Sequence, residues 1–157
     1  MAGIEIPKHI QGKPINEFLH KSLRDFLITA SDRFDGQYDR IRAIQDKRYK
    51  LIRSFYPDLS HHLDVQYRKN MPMMQKLLSL NIDGQLNQDQ QKWFGLKDEY
   101  EFYDLQKDPY EMKNQIQNPA YQDHIQLLKV ELEKWMLNTN DLGAVPEQVL
   151  IKQSTSQ

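Results

Sequence analysis

Residues 101–114, EFYDLQKDPYEMKN, decide how the rest of this chain is laid out. Phe102, Tyr103 and Leu105 are β-formers in a run too short and too aromatic for a stable helix, so the stretch opens as a strand. It then turns a corner. Asp108 is placed to cap a helical turn, and Pro109 suits a first helical position, where no N–H is needed. Glu111, three residues past the cap, supplies the second half of a capping box. Strand, corner and helix start are therefore expected in quick succession.

Downstream, Asn118 and Pro119 repeat the cap-and-first-position pattern. Tyr121, Ile125, Leu128, Leu132 and Trp135 then step by four, three, four and three, which predicts a long amphipathic helix with one apolar stripe, ending before Gly143. Upstream, residues 40–55 predict a hairpin in which RIRAIQ and YKLIRSF are joined by the polar turn DKR. Period two sets Tyr49, Leu51 and Phe55 on one face of its second arm, with Lys50 and Ser54 opposite, and groups Ile41 with Ala43 on the first arm. Phe26, Leu27 and Ile28 form a continuous apolar run within residues 23–30, predicting a strand buried on both faces. The following SDRFDGQYD is expected to be a loop around Gly36. Between Pro57 and the strand at 101, Met71, Met74, Leu77 and Leu78 have helical spacing up to Gly84, and Asn87 caps a second short helix that turns Trp93 and Phe94 inward. The run MPMM and the pair Trp93 and Phe94 are expected in the core.

These elements predict an α+β fold: a small antiparallel sheet of three or four strands, a long amphipathic C-terminal helix packed on it, and a helical insertion in the middle. Residues 1–22, punctuated by Gly3, Pro7, Gly12 and Pro14, predict a loop entering from elsewhere. Residues 23–145 form the folded body, and residues 146–157 a polar tail.

The 157 residues suffice for one domain, and 39% hydrophobic residues with a mean hydropathy of -0.79 imply a modest core under solvated faces. A net charge of -1 creates no overall field toward nucleic acid or an acidic membrane surface. No apolar run has the length of a membrane span. The absence of cysteine removes disulfides, thiolate metal sites and cysteine nucleophiles together. Arg33, Arg40, Arg42, Lys47, Arg48, Lys50 and Arg53 make one segment basic, whereas acids dominate residues 98–111, so the two are expected to pair across the sheet.

Candidate chemistry is sparse. His61, His62 and Asp64 have metal-ligating side chains, but adjacent histidines point apart on either a strand or a helix, which favours a surface loop. Asp123 and His124 lie on the solvated face of the long helix. Asp32, Arg33, Asp35, Asp39, Arg40 and Arg42 admit two roles: a structural ion-pair network at the mouth of a hairpin, or an arginine fork offered to sulfate, phosphate or carboxylate. No Gly-rich phosphate loop, HExxH or GxSxG occurs.

The collinear series AGIEIPKHIQGKP, SDRFDGQYDRIRAIQDKRYKLIRSFYPD, LNQDQQKWF, EFYDLQKDPYEMKNQ and LEKWMLNTNDLGAVPE resembles the C-terminal part of the sulfatase family. The resemblance is to the branch of N-sulfoglucosamine sulfohydrolase and the arylsulfatases. RAIQDKRYKLI and FYDLQKDPYEMKN are its most specific parts, carried by Tyr49, Lys50, Tyr103, Asp104, Asp108, Pro109, Glu111 and Asn114, with Trp135 in the last helix. GLKDEYEFYDL departs from it, since relatives commonly have a proline and Glu-Glu-Leu before the Tyr-Asp. The resemblance implies a family that hydrolyses sulfate esters or sulfamates with a formylglycine made in a C/S-x-P-x-R motif, beside a calcium or magnesium ion held by carboxylates and an Asn. This sequence has neither that motif nor the Asp-Asp pair that begins the metal site. It therefore implies no catalytic or metal-binding residue and no cofactor in this chain. The partner it implies is a catalytic domain preceding residues 1–22, against which the chain packs without hydrolysing substrate alone. It also implies a sulfated carbohydrate at a substrate rim for which Asp32, Arg33 and Asp35 are the candidates. A free-standing module for anionic sugars is the alternative. Sulfatases of this kind are typically exported, to periplasm, extracellular space or lysosome; the sequence itself carries no address.

Overall fold

The computed structural model describes residues 24–155. Its centre is a four-stranded antiparallel sheet in the order β1 (Leu27–Phe34), β2 (Gln37–Gln45), β3 (Tyr49–Ser54) and β4 (Tyr100–Asp104). Three short helices, α1 (Gln66–Lys69), α2 (Pro72–Ile82) and α3 (Gln88–Phe94), are inserted between β3 and β4. A 3₁₀ turn at Pro119–Tyr121 leads into α4 (Gln122–Asn138), and a second at Leu142–Ala144 precedes α5 (Glu147–Thr155). The fold is thus α+β, with the long helix on the sheet and the helical insertion in the middle.

The core lies between one sheet face and α4. Ile44 of β2, Leu51 of β3 and Phe102 of β4 meet Ile125, Leu128 and Leu132, flanked by half-buried Tyr49, Tyr100, Tyr121 and Trp135. This is the stripe expected from the sequence, and each large side chain so buried contributes about 1.5–3 kcal/mol. The opposite face carries Ile41, Ile52, Ser54, Glu101 and Tyr103 toward the insertion. The expected β2–β3 hairpin is present: Ile44 pairs with Leu51, and the Asp46 carboxylate closes the turn by accepting from the Arg48 and Tyr49 amides at 2.7 and 2.6 Å. Basic and acidic segments meet as expected, through Arg48 with Asp104, Lys50 with Glu111 and Arg53 with Glu99.

Four expectations are corrected. The first strand is an edge strand, not a doubly buried one; its side chains are exposed except for half-buried Ile28. Residues 31–39 are not a loop, since β1 runs to Phe34 and a two-residue turn at Asp35 and Gly36 returns the chain, with Asp35 at φ 55°. No helix starts at Asp108: residues 109–110 form a turn, Asp108 accepts from the Lys113 amide at 2.8 Å, and Glu111, at φ 56°, reaches across to Lys50 at 2.8 Å. A partner across the sheet outcompetes the local capping box. Of the MPMM methionines only Met74 is buried, while Met71 and Met73 are exposed.

The caps at Asn87 and Asn118 are present. Asn87 and Gln90 form a reciprocal capping box on α3, and Asn118 accepts from the Ala120 amide at 3.0 Å. Residues 147–155, within the segment expected as a polar tail, form a helix that buries no residue. The loop expected over residues 1–22 lies outside the described residues.

Candidate functional site

The arginine-rich cluster lies where the β1–β2 hairpin meets the segment following α4. Arg42 is its centre and is only 1% exposed. Its Nη1 donates to the Ser31 and Ile41 carbonyls, both at 2.9 Å. Its Nη2 donates to Asp32 and Asp141, each at 2.7 Å, and its Nε donates to Asp141 at 3.0 Å. All five guanidinium hydrogens are thereby used, which is the condition for burying such a charge without a large penalty. Arg40 also donates to Asp141, at 2.9 Å, and lies 3.9 Å from the centroid of the Phe55 ring. These arginines, Arg42 first, hold the Asp141 carboxyl well below the usual carboxylate range, against the opposing effect of burial. Gly143 is part of the same knot. A Cβ there would fall 2.0 Å from Arg42 Nη2 and 2.4 Å from Asp32 Oδ1, so the backbone approaches as closely as it does only because there is no side chain.

A second cluster lies outward on the same hairpin. Arg33 donates through Nη1 to both carboxylate oxygens of Glu147, at 3.0 and 2.8 Å, and through Nε to the Asp35 carbonyl at 2.9 Å. The Tyr38 hydroxyl donates to the same carboxylate, and the Arg33 guanidinium lies 5.0 Å from the Tyr38 ring centroid. Tyr38 first, and then Arg33, lower the Glu147 pKa. This cluster is open to solvent, with Arg33 43% and Glu147 45% exposed. The β1–β2 register shifts between Ser31 and Arg33, and the two successive residues there take different partners: Asp32 bonds Arg42, and Arg33 bonds Glu147. The three candidate rim residues thus occupy three places: Asp32 on Arg42, Arg33 on Glu147, and Asp35 in the turn, offering its carbonyl.

The motif residues surround β4. Asn114 occupies the free edge of that strand, accepting from the Phe102 and Ile116 amides at 2.9 and 3.0 Å and donating to the Tyr100 carbonyl at 3.2 Å. Asp104 receives Arg48 through two bonds, at 3.0 and 2.6 Å, and the Tyr121 hydroxyl at 3.2 Å. Tyr49 stacks on Phe102 at 5.5 Å between ring centroids. On the insertion side, a cleft of about 800 Å³ separates Ile41, Ile52 and Ser54 from Trp93 of α3. Buried Glu101 accepts from the Tyr103 hydroxyl there, with His61 Nε2 3.9 Å away. Burial first, and then this bond, push the Tyr103 hydroxyl above its ordinary pKa. Beside it Lys97 and Asp39 form a buried ion pair at 2.6 Å. Among the described residues no group of three or more His, Cys, Asp or Glu side chains is placed to hold a metal ion. Asp32 and Asp141 both accept from Arg42 Nη2.

No protein-family model matches the chain. An ulvan-active sulfatase of Formosa agariphila is 40% identical over 150 residues, 94% of this chain. In sequence the chain resembles part of a sulfatase. It spans 25% of that relative's length. Among solved structures, a 2-O GAG sulfatase aligns with a TM-score of 0.55 at 16% identity, over 89% of this chain and 23% of its own. A protein solved in complex with its substrate D-glucosamine-2-N,6-O-disulfate aligns with a TM-score of 0.56 at 21% identity, over 92% of this chain and 23% of its own. These two share the fold.

Sequence reasoning did not connect Asp141, Gly143 and Glu147 with the arginines. They lie 99 to 114 positions from the arginines they meet. The trace they leave in the sequence is the segment NDLGAVPE, quoted above as part of the sulfatase resemblance. His61 and His62 have different surroundings: His61 faces Glu101, whereas His62 packs against Trp93 and Phe94, 5.0 Å from each ring centroid.

Proposed function

We propose that this chain acts as the C-terminal subdomain of a longer sulfatase, packing against a catalytic domain and contributing to the rim of a cleft that accepts sulfated glycans. The observation that carries this reading is the 40% identity to an ulvan-active sulfatase over 94% of the chain but 25% of the relative. On this reading residues 1–22 join the subdomain to the catalytic domain, residues 23–145 form its body, and residues 146–157 continue from it. The formylglycine and the calcium or magnesium ion belong to the catalytic domain, and the assembled protein works in an exported compartment. No helix among the described residues is long and apolar enough to cross a membrane. In the rim, Arg33 is the contact for sulfate, because its guanidinium is exposed and has a carboxylate as its present partner; Asp32 and Asp35 set its position through Arg42 and the turn.

The chain's task is then orientation and not bond cleavage. A fixed guanidinium holds a sulfate ester by paired charge-assisted hydrogen bonds, which positions the sugar without taking part in hydrolysis. Co-expression with a sulfatase catalytic domain that carries C/S-x-P-x-R tests this. A stable one-to-one complex that releases sulfate from ulvan, and loses that activity without the present chain, is the expected result. A chain that forms no complex, melts cooperatively alone and binds the glycan by itself would replace this reading with that of a free-standing sugar-binding module.

A further inference from the structure

Glu147 occupies the position an anionic ligand would take. Its two oxygens receive Arg33 Nη1 at 3.0 and 2.8 Å, and one of them also receives the Tyr38 hydroxyl. A sulfate ester or uronate presents similar acceptor oxygens to the same donors. The helix bearing Glu147 buries no residue of its own, and both partners of the contact are more than two-fifths exposed. Asp141 and Gly143, by contrast, are locked onto Arg42 four to six positions earlier. The Arg33–Glu147 contact of α5 is thus an exposed ion pair of the weak kind, whereas the knot on Arg42 is buried.

We propose that Glu147 is an internal stand-in for the glycan's acidic group: Arg33 and Tyr38 form an anion subsite that the Glu147 carboxylate fills in the free chain and a sulfate ester displaces. This rests on the assignment of Arg33 to the glycan rim. It adds a gate, since the ligand must compete with a group of the protein itself. The affinity measured in the intact chain is reduced by the fraction of molecules in which the subsite is already filled.

The test is calorimetric titration of the full 157-residue chain with sulfated ulvan oligosaccharide and with its desulfated counterpart, each variant first checked for a cooperative melt. Glu147→Gln keeps the shape and removes the charge, and should tighten binding of the sulfated ligand by at least about threefold. A chain ending at residue 145 should behave in the same way. Arg33→Ala should abolish binding, and Tyr38→Phe should weaken it. Tighter binding of the desulfated ligand than of the sulfated one would overturn the sulfate assignment. Arg33-dependent binding that Glu147→Gln leaves unchanged would overturn the stand-in while sparing the rim contact. Binding absent from every folded variant would overturn the anion subsite while leaving the subdomain reading to the co-expression test.

Discussion

Two arginine–carboxylate contacts sit on one hairpin and do opposite things. Arg42 and Asp141 are 1% and 9% exposed, and every hydrogen of the guanidinium has an acceptor. Arg33 and Glu147 are 43% and 45% exposed and are joined through one terminal nitrogen. The same pair of chemical groups is a strut in the first case and a clasp in the second. What separates them is water. Around Arg42 a broken contact leaves a charge with nothing to solvate it, whereas around Arg33 solvent replaces the carboxylate at once. A residue type and a partner type therefore do not identify a binding site; exposure and the cost of release do.

The strongest way to break this comparison is to remove the buried carboxylate. Asp141→Ala leaves Arg42 without two of its hydrogen bonds and Arg40 without its carboxylate, and should cost about 3–5 kcal/mol, with the thermal midpoint falling by roughly 10 °C or more. Replacing Arg42 by Met in the same chain should restore part of the loss, because the stranded charge is gone. A midpoint unchanged by Asp141→Ala would show that the knot is no strut. Gly143→Ala attacks the same place through volume instead of charge. Its Cβ would overlap Arg42 Nη2 and Asp32 Oδ1, and the forced shift should cost roughly 1–3 kcal/mol in urea denaturation.

Arg48 and Asp104 stand between the two extremes, since the arginine is 37% exposed and the carboxylate 3%. The hydrogen bonds from Arg48, before all other influences, hold the Asp104 carboxyl at about 2 instead of its usual 3.8. A depressed carboxylate stabilises the fold once pH exceeds its unfolded value, so this contribution is complete above about pH 4 and drains away as pH falls toward 2. Melting curves between pH 5 and pH 2 should show the loss in the native chain, with a smaller slope in Arg48→Met. An identical slope in both would remove Arg48 as the cause.

The contrast also explains what could be read in advance. The α4 stripe, the β2–β3 hairpin and the caps at Asn87 and Asn118 rest on neighbours within a few positions, and local pattern found them. A strand was expected over residues 23–30, but its apolar run read as doubly buried, and the exposed extension of β1 to Phe34 has no alternation of apolar and polar residues to reveal it. The Asp-Gly turn at residues 35–36 was legible in principle, being a strong hairpin dipeptide, but the surrounding SDRF and QYD are mostly polar and show no apolar alternation. Asp108 and Glu111 show the reverse failure. Their spacing is that of a capping box, yet Lys50, 61 positions away, takes Glu111. Asp141 and Glu147 were beyond reach for the same reason, as nothing local to either announces an arginine a hundred positions earlier. The family resemblance did contain their segment, but it named a lineage without saying which carboxylate was bound tightly and which loosely.

The smallest expected effect is the most discriminating. Glu147→Gln should shift the thermal midpoint by less than about 2 °C, because an exposed ion pair adds little once side-chain ordering and solvent screening are counted. Its consequence should be local. The amides of residues 147–155 should lose protection from hydrogen exchange, while those of β2 around Arg42 keep theirs. Raising the salt to about 0.5 M should mimic the substitution, since screening reaches exposed charges and spares buried ones. If protection around Arg42 fell together with that of α5, the clasp and the strut would be one cooperative unit, and α5 could not leave without unfolding the hairpin that holds Arg33. Independent loss of α5 is the condition under which a glycan can take the place of Glu147 and still find its guanidinium in position.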